Sequence, residues 1–355
     1  MDKRLLKGVR EMLNERKKKI LQAVVDEYIN TAEPVSSQSI VKNYDLDFSS
    51  ATIRNEMAEL ESNGYLDKPH TSAGRVPSAK GYRFYVDELL KDDNISVEEI
   101  KYIQSKLNAK VNEIEELTKI ATTTLSEITH YTSVAVGPKN NMQMIEEIKF
   151  VLLGSRMLMA VIITDSGLIK ESIIKYEEDI HQNQVETINN LFRAKLVGKP
   201  LDKIDKPMET YIMQELKDSI RVIRPIIEQI NKIVEEDEKI YLEGANKAFE
   251  LPEFKSLKVA KNFIHLLDTK EVMVDLLESG FAKDINVFIG EETNNEELRD
   301  FSIVTFKHTV GNKDLGTIGI IGPKRMDYSK VISVMKYISK KLNEQLTEKD
   351  TGDKE

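Results

Sequence analysis

The sequence predicts a multidomain α+β protein, and its length and two periodic patterns are the observations that predict it. The chain has 355 residues, which at about 150 residues per domain corresponds to two or three domains. Hydrophobic residues make up 40% of it, enough to form buried cores. The first ninety residues show the spacing of short helices, whereas residues 91–355 mix helical stretches with runs typical of strands.

The composition excludes several classes of protein. The chain has no cysteine, which excludes disulfide frameworks, thiolate zinc sites and cysteine nucleophiles and suits a reducing compartment. The best apolar run, residues 150–163, is interrupted by Gly154, Ser155 and Arg156 and is shorter than the roughly 18 residues of a membrane span. The basic N-terminus also lacks the features of a targeting peptide. We therefore expect a cytoplasmic protein that does not contact a membrane.

The charge distribution permits nucleic-acid binding at the N-terminus. The net charge is −9, but residues 1–90 hold 14 Lys and Arg against 14 Asp and Glu, so the negative excess lies in residues 91–355. Residues 1–20 contain eight bases and three acids, and residues 68–86 contain four bases and no acid. Because a polyanion binds to local patches and not to the chain average, these two clusters are candidates for DNA contacts.

The first two elements are predicted to be helices. Apolar residues over 20–29 recur at the spacing of an amphipathic helix. Pro34 ends the linker that follows, and Ser36 or Ser37 can cap a second, shorter helix that runs to about Tyr44. The short segment after Tyr44 is a tight connector, which is the turn of a helix–turn–helix pattern.

A third helix and a hairpin complete the N-terminal pattern. Ser49 or Ser50 can cap the third helix, which is expected to end near Gly64 in a left-handed cap. Residues 65–68 and 75–77 can then form two short strands on either side of a small polar turn. A hairpin that directly follows the third helix of such a unit is a wing, so residues 1–90 are predicted to be a winged helix–turn–helix.

This fold predicts which residues contact DNA. The N-terminal end of a recognition helix faces base edges, where Arg can bind guanine and Asn can bind adenine, while hydroxyl groups and the first N–H groups hold phosphates. The candidates are Ser49, Ser50, Thr52, Arg54 and Asn55 on the third helix and His70, Thr71, Ser72 and Arg75 in the wing. Lys17, Lys18 and Lys19 are weaker candidates for phosphate contacts.

An ordinary structural interpretation of the same residues stays open. Ser49 and Ser50 can act only as caps, and trihelical domains also bind proteins. Arg54 has no acidic neighbour at helical spacing, so its alternative role is that of a solvated surface residue and not of an ion-pair partner. Asn55 can likewise be an ordinary surface position.

The chain resembles the HrcA family of bacterial heat-shock repressors in several ordered blocks. These blocks are PVSS (34–37), SATIRNEMAELE (50–61), HTSAGRVP (70–77), EGAN (243–246), PEF (252–254), GTIGIIGP (316–323) and RMDY (325–328). They span nearly the whole chain, which makes the resemblance far more specific than a winged helix alone.

The resemblance implies both an architecture and a function. It implies a winged helix, a GAF-like domain and a dimerising domain inserted into the GAF-like one. It further implies a homodimeric repressor of chaperone operons that binds double-stranded DNA at an inverted repeat called CIRCE. The GroEL chaperonin is implied as a partner that keeps the repressor active.

Without the family, residues 91–355 suggest one sheet domain interrupted by a helical block. The predicted strands are 148–153, 157–164, 168–176, 285–289, 301–310 and 315–321, with helices over 182–236 and about 328–346. With the family architecture, the expected divisions are 1–90 for the winged helix, 91–180 and 281–346 for the GAF-like domain, 181–280 for the inserted dimerisation domain and 347–355 for a disordered tail.

The sequence contains no catalytic or metal-binding pattern. The Gly-rich run 316–323 lacks the Lys-Ser/Thr ending of a phosphate loop, and the five histidines are widely separated without an HExxH motif. Arg325 and Asp327 are expected to hold the start of the last helix. We expect no enzyme activity, no metal and no cofactor. The alternative function is a GAF-type transcription regulator that responds to a small ligand, which the sequence does not identify.

Overall fold

The computed structural model is a mixed α+β protein. It describes residues 13–70, 74–90, 95–107, 114–137, 143–202, 204–216, 220–235, 240–278, 284–293, 295–310 and 313–352. The helices are α1 (Glu15–Thr31), α2 (Ser37–Asn43), α3 (Ser50–Ser62), α4 (Ala79–Phe84), α5 (Val97–Leu107), α6 (Ile114–Thr129), α7 (Gln182–Leu196), α8 (Lys206–Glu215), α9 (Ile220–Glu235), α10 (Leu257–Asp268), α11 (Lys270–Glu278) and α12 (Tyr328–Gly352). The strands are β1 (Leu66–Asp67), β2 (Val76–Pro77), β3 (Thr132–Val136), β4 (Ile145–Gly154), β5 (Met157–Thr164), β6 (Ile169–Lys175), β7 (Ile240–Glu243), β8 (Ile285–Ile289), β9 (Phe301–Val310) and β10 (Lys313–Pro323).

The N-terminal unit, residues 13–90, has the three helices and the hairpin that the sequence predicts. Each helix begins at a polar cap: the side chains of Asn14, Ser36 and Ser49 accept hydrogen bonds from backbone N–H groups in the first turns of α1, α2 and α3. Gly64 follows α3 with φ +75°, a left-handed conformation that glycine adopts without strain. The caps and breakers in the sequence therefore set the helix boundaries to within a residue or two.

The hairpin is attached to the linker between α1 and α2. Strands β1 and β2 are antiparallel, with Leu66 opposite Pro77. Val35 and Arg75 exchange two backbone hydrogen bonds of 2.8 Å, so the linker lies beside the returning arm of the hairpin. A Cβ on Gly74 would lie 2.3 Å from the Val35 carbonyl oxygen, so only glycine permits this approach.

A five-stranded antiparallel sheet forms the centre of the body. Its strand order is β7-β3-β10-β9-β8. Along β3 the side chain of Ala135 faces α6 and α12, whereas Val134 and Val136 face α10 and α11, so the sheet has helices on both faces. The core on the α6 and α12 side is continuous with the core of the N-terminal unit.

A separate domain interrupts this sheet between β3 and β7. Its three strands, in the order β4-β5-β6, pair only with one another within the described chain, and they pack against α7, α8 and α9 around a core of their own. This inserted domain therefore occupies about 143–235. The predicted insertion at 181–280 is wrong at both edges, because alternating apolar residues identify a strand but do not identify the sheet that it joins.

The last helix ends later than the sequence predicts. It continues to Gly352, so the expected disordered tail is helical over 347–352, where Glu and Lys favour helix and no proline interrupts it. Asp327 holds its start as predicted, because its side chain accepts a 3.0 Å hydrogen bond from the Lys330 N–H. Arg325 does not: its side chain bonds Glu253 and the Ile29 carbonyl. None of the described helices, α12 included, is long and apolar enough to cross a membrane.

Candidate DNA-binding surface

Helix α3 presents its N-terminal half to solvent. Ile53, Met57 and Leu60 are buried against α1 and α2, which fixes the rotation of α3 about its axis. Arg54 and Asn55 consequently point outwards, and both are exposed. This rotation follows directly from the helical spacing of the apolar residues.

Ser49, Ser50 and Thr52 order the first turn of α3. The Ser49 side chain accepts a 3.1 Å hydrogen bond from the Thr52 N–H, and the two side-chain hydroxyls lie 2.9 Å apart. The Ser50 hydroxyl lies 3.0 Å from that of Ser37, which is buried in α2. Ser50 therefore joins the two helices of the pair, whereas Ser49 is exposed at the end of α3, where the helix N–H groups favour an anion.

Arg54 and Asn55 make no side-chain hydrogen bond, and Arg54 forms no ion pair, with any residue that the structure describes. The glutamates of α3 pair with other bases: Glu56 with Arg16, Glu59 with Lys17 and Glu61 with Arg75. An exposed arginine and an adjacent exposed asparagine at the N-terminal end of a helix carry the donors and the acceptor that read guanine and adenine in the major groove. Both predicted side chains are therefore free to bind an external partner.

The hairpin residues are placed differently from one another. His70 is exposed at the end of the described part of the turn, while Thr71 and Ser72 lie outside the described residues. Arg75 is bound to Glu61 of α3, with its Nε and Nη2 atoms both 2.6 Å from the same carboxylate oxygen. Its side chain is only 18% exposed, so it fixes the hairpin to α3 and is not a free phosphate ligand. This pairing between residues 14 positions apart is not visible as a helical spacing.

Two of the three lysines at the start of α1 form ion pairs, one with α3 and one within α1. Lys17 lies 2.6 Å from the Glu59 carboxylate, and this hydrogen bond raises the pKa of Lys17. Lys18 pairs with Glu15 at 2.8 Å. Lys19 is exposed and forms no ion pair with any residue that the structure describes, so of the three it is the best phosphate candidate.

Sequence reasoning overlooked one buried carboxylate and did not single out one free cation of the basic cluster at 68–86. Glu56 is buried and lies 2.6 Å from Arg16, which ties α3 to the start of α1. Its position three residues after Ile53 places it on the inward face, a signal that helical spacing does contain. Lys68, exposed directly after β1, has no side-chain partner among the described residues and adds a cation close in sequence to His70.

Comparison with known proteins identifies the family. The sequence model described as HrcA protein C terminal domain matches residues 115–332, which include the five-stranded sheet and the inserted domain. The heat-inducible transcription repressor HrcA of Ruminiclostridium cellulolyticum is 39% identical over 94% of this chain and 98% of its own length. That of Acetivibrio thermocellus is 40% identical over 94% of this chain and 96% of its own. The chain belongs to the HrcA family of heat-inducible transcription repressors.

The chain also resembles a solved structure over nearly its whole length. A crystal structure described as that of a hypothetical protein at 2.2 Å resolution aligns with a TM-score of 0.66 and 26% identity. The alignment covers 94% of this chain and 98% of the other. The HrcA resemblance that the sequence blocks indicate is confirmed, and it extends through the N-terminal unit that carries Arg54 and Asn55.

Proposed function

We propose that this protein is a homodimeric repressor of heat-shock chaperone operons that acts in the cytoplasm by binding the inverted repeat CIRCE. The observation that carries the proposal is the exposed pair Arg54 and Asn55, which has no internal partner in the described chain and lies at the N-terminal end of a helix. In this proposal α2 and α3 form the helix–turn–helix and β1 and β2 form the wing.

Each candidate residue has a role in this complex. Arg54 and Asn55 contact base edges, and Ser49 with the first N–H groups of α3 holds a phosphate. Thr52 keeps the first turn in place through Ser49, and Ser50 keeps α3 aligned with α2. His70, Thr71, Ser72 and Lys68 contact the adjacent groove or backbone, while Arg75 holds the wing against α3.

The inserted domain is proposed to join two copies. The face of its sheet opposite the helices carries a row of apolar residues with charged residues beside it. The apolar residues are Met157, Met159, Val161 and Ile163 on β5 and Ile169 and Ile173 on β6, and the charged ones are Glu147 and Lys149 on β4 and Glu171 and Lys175 on β6. Ile169 is 50% and Ile173 is 55% exposed. Neighbouring apolar side chains that are bordered by polar residues are typical of protein interaction sites. A second copy is the partner that a two-fold operator requires.

Fluorescence anisotropy tests the DNA-binding proposal. The full chain is titrated onto a duplex that carries the inverted repeat and onto a scrambled duplex, at several salt concentrations. We expect binding to the repeat that is at least about 10³ times tighter than binding to the scrambled sequence and that weakens as salt rises. Equal binding to both duplexes would contradict the proposal.

The base-reading role of Arg54 has its own test. We expect Arg54→Ala to weaken operator binding by about 1–3 kcal/mol and to relax the base preference at one position of each half-site. The matched control is Arg224→Ala, because Arg224 is also exposed but lies on α9 of the inserted domain. If Arg54→Ala bound like this control, Arg54 would lie outside the interface.

Regulation by the GroEL chaperonin is proposed from the resemblance. A chaperonin that assists folding or favours the DNA-competent dimer raises the population that can bind the operator. Purified repressor is heated and allowed to recover with and without GroEL, and operator binding is followed throughout. Equal recovery in both samples would remove GroEL from the mechanism.

One observation favours the alternative of a ligand-responsive regulator with a GAF-like domain. A cavity of about 760 Å³ lies between the β8–β9 edge and α12, and Lys307, Lys336 and Lys340 line it together with Asp284 and Glu344. This lining suits a small anion. A thermal-shift screen of anionic metabolites would support the alternative if one compound stabilised the wild type, failed to stabilise Lys340→Gln and changed operator affinity.

A further inference from the structure

Arg325 connects three parts of the molecule that are far apart in sequence. It lies between β10 and α12, and its Nε atom donates a 2.7 Å hydrogen bond to the Glu253 carboxylate of the turn before α10. Its Nη1 atom donates to the backbone carbonyl of Ile29 in α1. The Arg325 side chain is only 12% exposed, so this contact is enclosed between the body and the N-terminal unit.

The contact with Ile29 gives a hydrogen-bond donor to a backbone carbonyl at the C-terminal end of α1. The last carbonyl groups of a helix have no partner within it, and a positive charge is favoured at that end. Ala32 ends α1 in a left-handed conformation, with φ 57°, and its N–H bonds the Tyr28 carbonyl. The Ile29 carbonyl next to it is bound by Arg325. The body therefore supplies the C-terminal cap of a helix that belongs to the N-terminal unit.

A second arginine holds the N-terminal unit at another point. Arg83 of α4 bonds the Glu292 carboxylate, with 2.8 Å between its Nε and Glu292 Oε1, and its Nη2 donates a 2.6 Å hydrogen bond to the Val287 carbonyl of β8. Between the two arginine contacts, the buried rings of Tyr82 and Tyr328 pack with centroids 5.9 Å apart. Contacts on two different helices restrict rotation of the unit as well as its separation from the body.

Helix α1 transmits this restraint to the recognition helix. Its 17 residues correspond to about 25 Å at 1.5 Å per residue. At its far end Arg16 and Lys17 bind Glu56 and Glu59 of α3 at 2.6 Å each. The path from Glu253 to Arg54 therefore consists of bonded side chains and two helices, α1 and α3.

We propose that Arg325 is a positioning residue for DNA reading, which fixes the direction of α3 relative to the body and hence the spacing of half-sites that the dimer accepts. The inference rests on the proposed function. Adding one base pair between half-sites rotates one of them by about 35° around the DNA axis, because a turn contains about 10–10.5 base pairs. A dimer with firmly held α3 helices cannot follow that rotation, whereas one with released helices can.

The test measures affinity for operators whose half-site spacing is changed by one or two base pairs in either direction, and for a duplex with a single half-site. The full-length variants are Arg325→Gln and Arg83→Gln. For each we expect the wild-type preference for one spacing to fall by about tenfold, with binding to the single half-site unchanged within about threefold. Arg83→Gln provides an independent measurement if Arg325→Gln does not fold, which circular dichroism at the assay temperature will establish.

Arg221→Gln is the matched control, because Arg221 also bonds a glutamate, Glu178, but both are exposed in the inserted domain. It should retain the wild-type preference. If folded Arg325→Gln and Arg83→Gln also retained it, the positioning role would be refuted while the proposed function stood. If the wild type bound no operator specifically, the proposed function itself would fail.

Discussion

The N-terminal unit and the inserted domain are attached to the same five-stranded sheet in opposite ways. The N-terminal unit shares a continuous core with the sheet and is bound to it by Arg83 and Arg325. The inserted domain has a separate core and leaves the outer face of its own sheet exposed. Under the proposed function, the body holds the direction of the unit that reads DNA, whereas the exposed sheet face of the inserted domain is available to a second copy.

The largest expected effect comes from creating a cavity in the core of the inserted domain. Phe192 is fully buried, and its ring packs edge-on against Phe150 at 5.1 Å. Phe192→Ala should reduce the free energy of unfolding by about 3–5 kcal/mol and lower the melting temperature of the inserted domain alone. The matched variant is Phe306→Ala, in the core that the five-stranded sheet shares with the N-terminal unit. It should lower the melting temperature of these two parts together. Calorimetry measures the melting temperatures, and hydrogen exchange resolved by segment identifies which part of the chain unfolds in each transition.

A single shared transition, shifted equally by Phe192→Ala and Phe306→Ala, would remove the contrast between the two regions. It would mean that the cores unfold as one cooperative unit although their buried residues form separate groups.

The next effect concerns the exposed sheet face. Ile173→Asp would place an unpaired carboxylate in a dimer interface, so we expect dissociation to monomers and operator binding about 100-fold weaker, since both half-sites are no longer bound together. Val97→Asp is the control, because Val97 is 61% exposed but lies on α5, away from this face. Sedimentation equilibrium measures the molecular mass of each variant and so distinguishes monomer from dimer. A variant that remained a dimer would place the interface elsewhere.

The smallest effect is a pH dependence of the α1–α3 attachment. The hydrogen bond from Lys17 lowers the pKa of Glu59 from its ordinary value of 4.5. A carboxylate with a lowered pKa stabilises the folded state above its unfolded pKa, and this contribution is lost as pH falls through the folded value. Glu59→Gln should therefore be less stable than the wild type at pH 7, and the difference should disappear in acid. If the difference in stability persisted at pH 3, its cause would be packing and not the charge of Glu59.

The accuracy of the sequence predictions depends on the range of the interactions that decide each feature. The starts of α2 and α3 depend on Ser36 and Ser49, whose side chains act within three residues, so they can be predicted from the sequence. The exposure of Arg54 follows from the spacing of Ile53 and Met57, which is also local. These features were predicted correctly.

The features that the sequence missed depend on distant partners. Strands β4, β5 and β6 were assigned to the wrong sheet, because a strand pattern does not contain the identity of its neighbour. Arg75 was expected at DNA and is bound to Glu61, and Arg325 was expected at α12 and is bound to α1. An arginine donates several hydrogen bonds, and only the folded chain decides which acceptors are near.

The position of the insertion has a consequence for modularity. Strands β3 and β7 are antiparallel neighbours, and Val136 lies opposite Ile240, so the chain leaves the sheet and returns to it at adjacent points. Two such residues are about 5 Å apart, which is the distance that a two-residue hairpin turn spans. The whole inserted domain thus takes the place of a single tight turn. Replacing residues 137–239 with Asn-Gly should leave a continuous sheet. If the inserted domain joins two copies as proposed, the product is a starting point for a regulator with a different means of self-association.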